Sequence, residues 1–381
     1  MNLKKNNSDV IIIGLGAMGS ASSYYLSKEG VDVIGFDTYK PPHSIGSSHG
    51  ETRIIREAYH EGTSYVPIVK RAYDLWEDMN KESGENLISQ FGGIILGNNG
   101  DHIKKALKSA EKYNIPIDQL NSSQIKDQFP VLNPPLNFTG LYEKRSGAVF
   151  PEKSISFMHQ QAKKNGARLF YDEKVLGWKR KSNSFQVETN KGTYLTQKLI
   201  LSSGAWIKNL VPDLNLPIKI ERQVLFWLEP KKNKDLFQTE FLPNTGWDLD
   251  SGHEFYTQPM MENKGFKVAK HHDGEFILPE NLDRETKEED IVTIRSFLEE
   301  YIPDANGKIL DSKVCIYTDT PDLDFILDFS PVDENIIICS PCSGHGFKFT
   351  PAIGEICTKM IKEEKIPFDL SEFSISRFQN T

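Results

Sequence analysis

Cysteine is scarce: four residues in 381, too few for the disulfide framework of a small secreted domain. No apolar run reaches the roughly 18 residues that a membrane-spanning helix needs. The chain also lacks a basic surplus, with 45 Lys and Arg against 53 Asp and Glu and a formal net charge of −8. That balance argues against nucleic acid or an anionic membrane as partner, so an anionic substrate would need a local basic pocket. No internal repeat, low-complexity tract or metal-ligand spacing is present, and no metal is expected. Met1 to Ser8 is polar and runs straight into an apolar strand, which leaves no signal segment and predicts a cytoplasmic protein. What is there is ordinary for a globular enzyme, 38% apolar and 26% charged. The length suits about two domains.

One stretch organises the rest. Val10-Ile11-Ile12-Ile13 reads as a strand, Gly14-Leu15-Gly16-Ala17-Met18-Gly19 as a turn, and the chain to Gly30 as a helix. A second strand, Val31 to Phe36, closes on Asp37. Gly14 permits the tight turn, Gly16 lets a pyrophosphate approach the backbone, and Gly19 lets helix and strand pack closely. The helix N-terminus then receives the phosphates, and Asp37 stands where an adenosine ribose would be held. The pattern predicts a dinucleotide site without separating FAD from NAD. A flavin reductase fed by a nicotinamide would need two such sites. A single one suggests an enzyme that takes electrons from a small substrate and passes them elsewhere.

Further along, Gly46 to Arg56 concentrates His49, Arg53 and Arg56 in a Gly/Ser-rich segment, which on its own reads equally as a solvated loop. Helical spacing runs over Pro67–Met79, Asp101–Tyr113, Ser154–Asn165, Glu288–Tyr301 and about Pro351–Ile361. Strand-like runs lie at Phe91–Leu96, Ala167–Phe170, Phe185–Thr189, Leu199–Ser202, Val224–Leu228, Val314–Tyr317, Phe325–Leu327 and Ile336–Cys339, while 130–142, with three prolines, reads as irregular. The small-residue turn Gly204-Ala205-Trp206 suits a backbone passing close to a ligand. A second strand–glycine turn–helix unit at Ser343-Gly344-His345-Gly346-Phe347-Lys348 lacks the dinucleotide spacing. Cys339 and Cys342 form a CxxC that reads as a chance pair, with their redox state left open.

Three motifs are specific: the Ser-His-Gly-x-Thr-Arg-x-Ile-Arg run ending at Arg56, Cys315-Ile316-Tyr317-Thr318, and Ser343 to Phe349. Together they make the whole chain resemble the monomeric sarcosine oxidase and N-methyltryptophan oxidase family of flavoproteins. The resemblance implies an α/β architecture, with a discontinuous Rossmann-like FAD-binding domain (1–86, 146–217 and 318–381) and a substrate domain on a large mixed sheet (87–145 and 218–317). It implies FAD bound through a thioether to Cys315, although a Cys in an apolar strand is by itself inert core. It also implies oxidation of a secondary amino acid at its N-methyl carbon: hydride passes to the flavin, the imine hydrolyses to amino acid and formaldehyde, and oxygen is reduced to peroxide.

The same resemblance assigns Arg56 and Lys348 to the substrate carboxylate, and Arg53 and His49 to the flavin's surroundings. Tyr256, His271 and Tyr317 fall on the substrate side, and Gly344, Gly346 and Phe347 with Lys348 beside the cofactor. Lys267 matches the lysine that assists oxygen, though on an alternating strand it reads as solvent-facing. Lys267 and His271 share parity and should face the flavin together, with Lys270 outside. Glu57 stands where the family commonly has His, and Thr257-Gln258-Pro259 where it has Gly-Phe-Pro. These departures are expected to alter the pocket wall. The Lys267–His271 run and the ending Ser376 to Gln379 look more like the N-methyltryptophan members. The expected protein is a monomer acting on a small secondary amino acid and oxygen. An NAD-dependent dehydrogenase, or a flavin-binding sensor or scaffold with little turnover, are the competing readings; a scaffold has no use for Arg56, Lys267 and Lys348.

Overall fold

The computed structural model describes residues 6–98, 100–262 and 264–378. Met1 to Lys5 and Gln379, both read above, lie outside them. Eight strands form the first sheet, in which Asn7–Ile13 lies parallel between Thr193–Leu201 and Val33–Phe36. Asp333–Ser340 adds in parallel beside Thr193–Leu201. Such strands are covered on both faces, which explains the continuous Val/Ile/Leu runs. Helices Ala17–Lys28, Tyr65–Ser83, Pro151–Lys164 and Thr350–Ile361 share one core on one side, with Tyr24, Trp76, Met158 and Ile353 buried in it.

The second sheet has nine strands and is mixed. Gly93–Gly97 pairs parallel with Asn244–Asp248, and the other pairings, among them Lys219–Leu228 with Phe266–His271 and Ile309–Asp319, are antiparallel. Period-two alternation sends Phe226, Leu228, Phe266 and Val268 into a core under helix Glu288–Tyr301, where Phe255 and Phe297 stack at 4.2 Å. It turns Leu225, Trp227, Ala269 and Cys315 to the opposite face. A small third sheet joins Arg53–Ile55, Gly147–Val149 and Ile88–Gln90.

Irregularity around the three prolines stops earlier than expected, because Thr139–Glu143 is a strand pairing with Gly93–Gly97. Helix Ser122–Gln128 went unread. It is too short to show a period and is held by a reciprocal capping box between Asn121 and Gln124. Among the described residues, no helix is long and apolar enough to cross a membrane.

Candidate active site

A cavity of about 660 Å³ runs from the glycine turn of the first sheet to the outward face of the second. At its first end, Gly14 has φ +96°, and a Cβ on Gly19 would lie 1.9 Å from the Gly14 carbonyl oxygen. The turn therefore requires glycine at both positions, although Gly19 packs beneath the wall rather than lining it. Asp37 lines this end and accepts hydrogen bonds from Leu15 N at 2.8 Å and Tyr39 N at 2.9 Å. Helix Ala17–Lys28 has no side-chain cap and no acid in its first turn. Ser203, whose Cα packs against Gly14, keeps a buried hydroxyl without a partner. Ala17 N donates to Ser48 Oγ at 3.3 Å, and a helix N-terminus with an unused hydroxyl beside its glycine turn fits a dinucleotide.

Midway, Arg53 is tied down by backbone: its guanidinium donates to Thr52 O at 2.8 Å, Ser47 O at 3.0 Å and His49 O at 2.5 Å. One of its nitrogens lies 3.8 Å from the Cys315 sulfur, and Cys315 lines the cavity as a free thiol. Gly344, Gly346 and Phe347 form the wall opposite. A Cβ on Gly344 (φ +75°) would stand 2.7 Å from the Tyr317 ring and 3.0 Å from His271, so only glycine fits there. Tyr317 Oη and His271 Nδ1 are 3.0 Å apart. Burial, then neighbouring His272, holds His271 well below the ordinary histidine range, so its ring is neutral. Burial likewise pushes the Tyr256 phenol up to about 12.

The two expected carboxylate-binding cations converge on the far end. Lys348 donates to His345 O at 2.7 Å and Tyr59 Oη at 3.2 Å. Burial, then Arg56, pushes it down to about 7. Arg56 lies over the Tyr59 ring, and one of its terminal nitrogens, Nη2, donates to both carboxylate oxygens of Glu61, at 2.8 and 2.9 Å. Burial would raise the Glu61 carboxyl, but Arg56 and His60 outweigh it and hold it well below the carboxylate range. Glu61 was not singled out from sequence. Its only signal was weak: an acid five residues beyond the arginine that ends the motif.

Besides Gly19, two expected site residues do not reach the cavity. His49 is buried behind the wall with neither ring nitrogen partnered, and burial and Arg53 push it down to about 3. Lys267, 2% exposed, is also one layer back. Its ammonium donates to Gly50 O and Thr52 O at 2.8 Å and to Thr52 Oγ1 at 3.3 Å, three acceptors for three N–H groups. Burial, then Arg53, lowers its pKa well below the lysine range. Lys270 points the other way and pairs with Asp273 at 3.2 Å, so the parity argument holds while the direct approach to the cavity does not. The carbonyls that hold Lys267 belong to a strained turn, in which Glu51 has φ +71°. On its other side the Glu152 carboxylate accepts from Gly50 N at 2.8 Å and Glu51 N at 3.1 Å. Gln258 accepts from Thr52 Oγ1 at 2.7 Å.

The departures expected to reshape the pocket lie elsewhere. Glu57 is buried against Arg145, Thr257 bonds Thr245, and Gln258 braces Thr52; none lines the cavity. The cavity wall instead includes His60, His102, Asp248 and Glu254, which sequence reasoning missed. The CxxC does not close either: all four cysteines are free, and Cys339 faces Cys357 with sulfurs 3.7 Å apart.

Comparison with known proteins identifies the family. The family of FAD dependent oxidoreductases (DAO) matches residues 9–360. The chain is 36% identical over 375 residues to monomeric sarcosine oxidase of Bacillus sp. (strain B-0618), covering 97% of this chain and 96% of the relative. It is 34% identical over 374 residues to N-methyl-L-tryptophan oxidase of Yersinia pestis (strain Pestoides F), covering 97% and 99%. In fold it is similar to NikD, an unusual amino acid oxidase essential for nikkomycin biosynthesis, with TM-score 0.84, 18% identity and 97% of both chains covered. L-proline dehydrogenase from P. horikoshii is comparable, with TM-score 0.85, 21% identity and 98% of both covered. The NAD-dependent alternative falls away, and the chain belongs to the FAD-dependent oxidoreductases, on the branch that holds monomeric sarcosine oxidase and N-methyl-L-tryptophan oxidase.

Proposed function

We propose that the protein oxidises a small N-methyl amino acid of the sarcosine or N-methyltryptophan type to the amino acid, formaldehyde and hydrogen peroxide. It would act as a monomer, with FAD attached through Cys315 and oxygen as acceptor. The FAD-binding and substrate units follow the division given above, at 87, 146, 218 and 318. The carrying observation is that two cations, the part-buried Arg56 and the buried Lys348, converge on a cavity continuous with the dinucleotide end. FAD, when bound, supplies the hydride acceptor and the route to oxygen. The chain supplies the rest. Arg56 offers a planar fork to a carboxylate, and exchanging Glu61 for the substrate carboxylate keeps its charge neutralised throughout. Lys348 adds the second contact. Neutral His271, fixed by Tyr317, orients the amine without adding a competing positive charge.

A peroxide-coupled screen of N-methyl amino acids, each beside the amide that lacks the carboxylate, tests this reading. Turnover of neither sarcosine nor any N-methyl amino acid would sink it. In the same assay Lys348→Ala should weaken acids by about ten- to 150-fold, the value of a charged hydrogen bond, and hardly touch neutral inhibitors. Equal loss for both would mean that Lys348 supports the fold. The pH dependence has a definite sign. Lys348 carries its charge below about 7 in the free protein, so KM for an acid should rise as pH rises through that value. Lys348→Met should flatten the profile.

A further inference from the structure

Immediately behind the His271–Tyr317 wall lies a second group of ionisable side chains that the reaction does not use. Glu221 sits on strand Lys219–Leu228 opposite Tyr317, and Asp319 ends the neighbouring strand opposite Lys219. The alternation of the pleat puts both carboxylates on one face, as diagonal neighbours. They are 2% and 5% exposed. His272 follows strand Phe266–His271, where two consecutive left-handed residues, His272 and Asp273, both at φ +59°, turn the chain toward Glu221. His272 Nδ1 then lies 3.3 Å from Glu221 Oε2 and 3.9 Å from Asp319 Oδ2. All three ligand atoms fall within 4.8 Å of one another.

Two buried carboxylates this close need a proton or a cation between them. Asp319 Oδ1 is buried with no hydrogen-bond partner at all. The other oxygen of Glu221 is already oriented: Oε1 accepts from Gln223 Nε2 at 2.7 Å and from the Gly274 amide. That leaves Oε2 free to face the imidazole, which is the outer-sphere support that a ligating carboxylate requires. Tetrahedral zinc ligands at about 2.0–2.2 Å stand roughly 3.3 Å apart, the length of the Glu221–His272 edge, so only Asp319 has to close in. The His272 side chain is 21% exposed, which gives an ion a path from solvent.

We propose that Glu221, His272 and Asp319 form a site for a divalent transition ion of the zinc class, with one position left for water. The mixed imidazole and carboxylate set suits zinc better than calcium or magnesium, which prefer all-oxygen shells. The site ties two strands and a turn together directly behind the substrate wall: His272 lies 4.3 Å from the His271 ring and 5.3 Å from the Tyr317 ring, centroid to centroid. A second trio in the cavity itself, His60, His102 and Glu254, meets the same distance criterion but fails on direction. The two imidazoles stack at 4.2 Å with 11° between planes. Ring-nitrogen lone pairs lie in the ring planes, so two near-parallel rings cannot aim at one ion.

The test uses FAD-loaded protein, stripped with chelator, dialysed and titrated with Zn²⁺ alone. One equivalent should bind and raise the melting temperature. Asp319→Asn and Glu221→Gln should each weaken binding by more than about tenfold, by loss of a ligand. His102→Gln should leave it unchanged. Co²⁺ gives an answer without any substitution: the unmutated protein should develop the visible d–d bands of a low-coordinate nitrogen and oxygen site. Failure to retain an equivalent of Zn²⁺, or absence of those bands, would show that the carboxylates share only a proton. Loss of Zn²⁺ binding in His102→Gln would move the ion to the cavity wall. Each result overturns the proposal while leaving the oxidase reading untouched.

Discussion

Lys267→Met should slow the oxygen half of the catalytic cycle by about 10²- to 10³-fold while leaving anaerobic reduction of the flavin by substrate largely intact. Reducing oxygen builds negative charge in a site shielded from water, where a fixed cation has its greatest effect; single preorganised donors supply factors of that size. Hydride removal from the amine puts no charge on oxygen and needs no fixed cation at the oxygen site. Lys267 is one layer from the cavity, with Thr52 between, so its charge acts through a short stretch of dry protein. Met also leaves the Gly50 and Thr52 carbonyls without their buried donor, and a loss of stability is expected as well. Stopped-flow measurement of both half-reactions separates the two effects, because a folding defect would depress both. Lys270→Met is the matched control on the opposite face. A pH dependence follows: since burial and Arg53 lower the Lys267 pKa, the oxygen step should decline with rising pH in the unmutated protein and be flat in Lys267→Met. Normal oxygen reactivity in Lys267→Met would place the oxygen site elsewhere.

Cys315→Ser should release all the yellow colour on acid precipitation, where the unmutated protein should keep it in the pellet and show flavin fluorescence with the protein band on a denaturing gel. The thiolate is the nucleophilic form of cysteine, and Cys315 lines the cavity with an Arg53 nitrogen 3.8 Å from its sulfur. Serine keeps the size of the side chain and removes the sulfur nucleophile. Colour left wholly in the supernatant of the unmutated protein would rule out attachment.

The parts legible in the sequence are those fixed by local constraint. Gly14, Gly16, Gly19 and Asp37 lie within one strand–turn–helix–strand unit, whose spacing dictates its geometry. Arg53, Arg56 and Lys348 were legible through the motifs that carry the family resemblance; on composition alone the arginine segment reads equally as a solvated loop. The far wall was not. His102, Asp248 and Glu254 come from separate elements of the second sheet and its neighbouring helix, and ordinary polar residues there carry no sign of which face the cavity occupies. Thr257 and Gln258 show the converse error: their departure from the family's Gly-Phe-Pro suggested a changed pocket wall, but Gln258 braces Thr52 and Thr257 bonds Thr245 on the neighbouring strand. Parity predicted that Lys267 and His271 share a face. Only the fold shows that Thr52 screens one and not the other.

The strained turn at Gly50–Thr52 bears on how the molecule comes apart. Glu152 grips it from a helix of the first sheet's core, while Lys267 and Gln258 grip it from strands of the second. Holding Glu51 in a left-handed conformation costs on the order of 1–3 kcal/mol, so the turn keeps its shape only while both sets of bonds are made. Melting either half strips buried donors or acceptors from the other, and the two should therefore melt as one cooperative unit. Tryptophan fluorescence and far-ultraviolet dichroism should report coincident thermal transitions. Glu152→Gln, which weakens one grip, should pull the two curves apart.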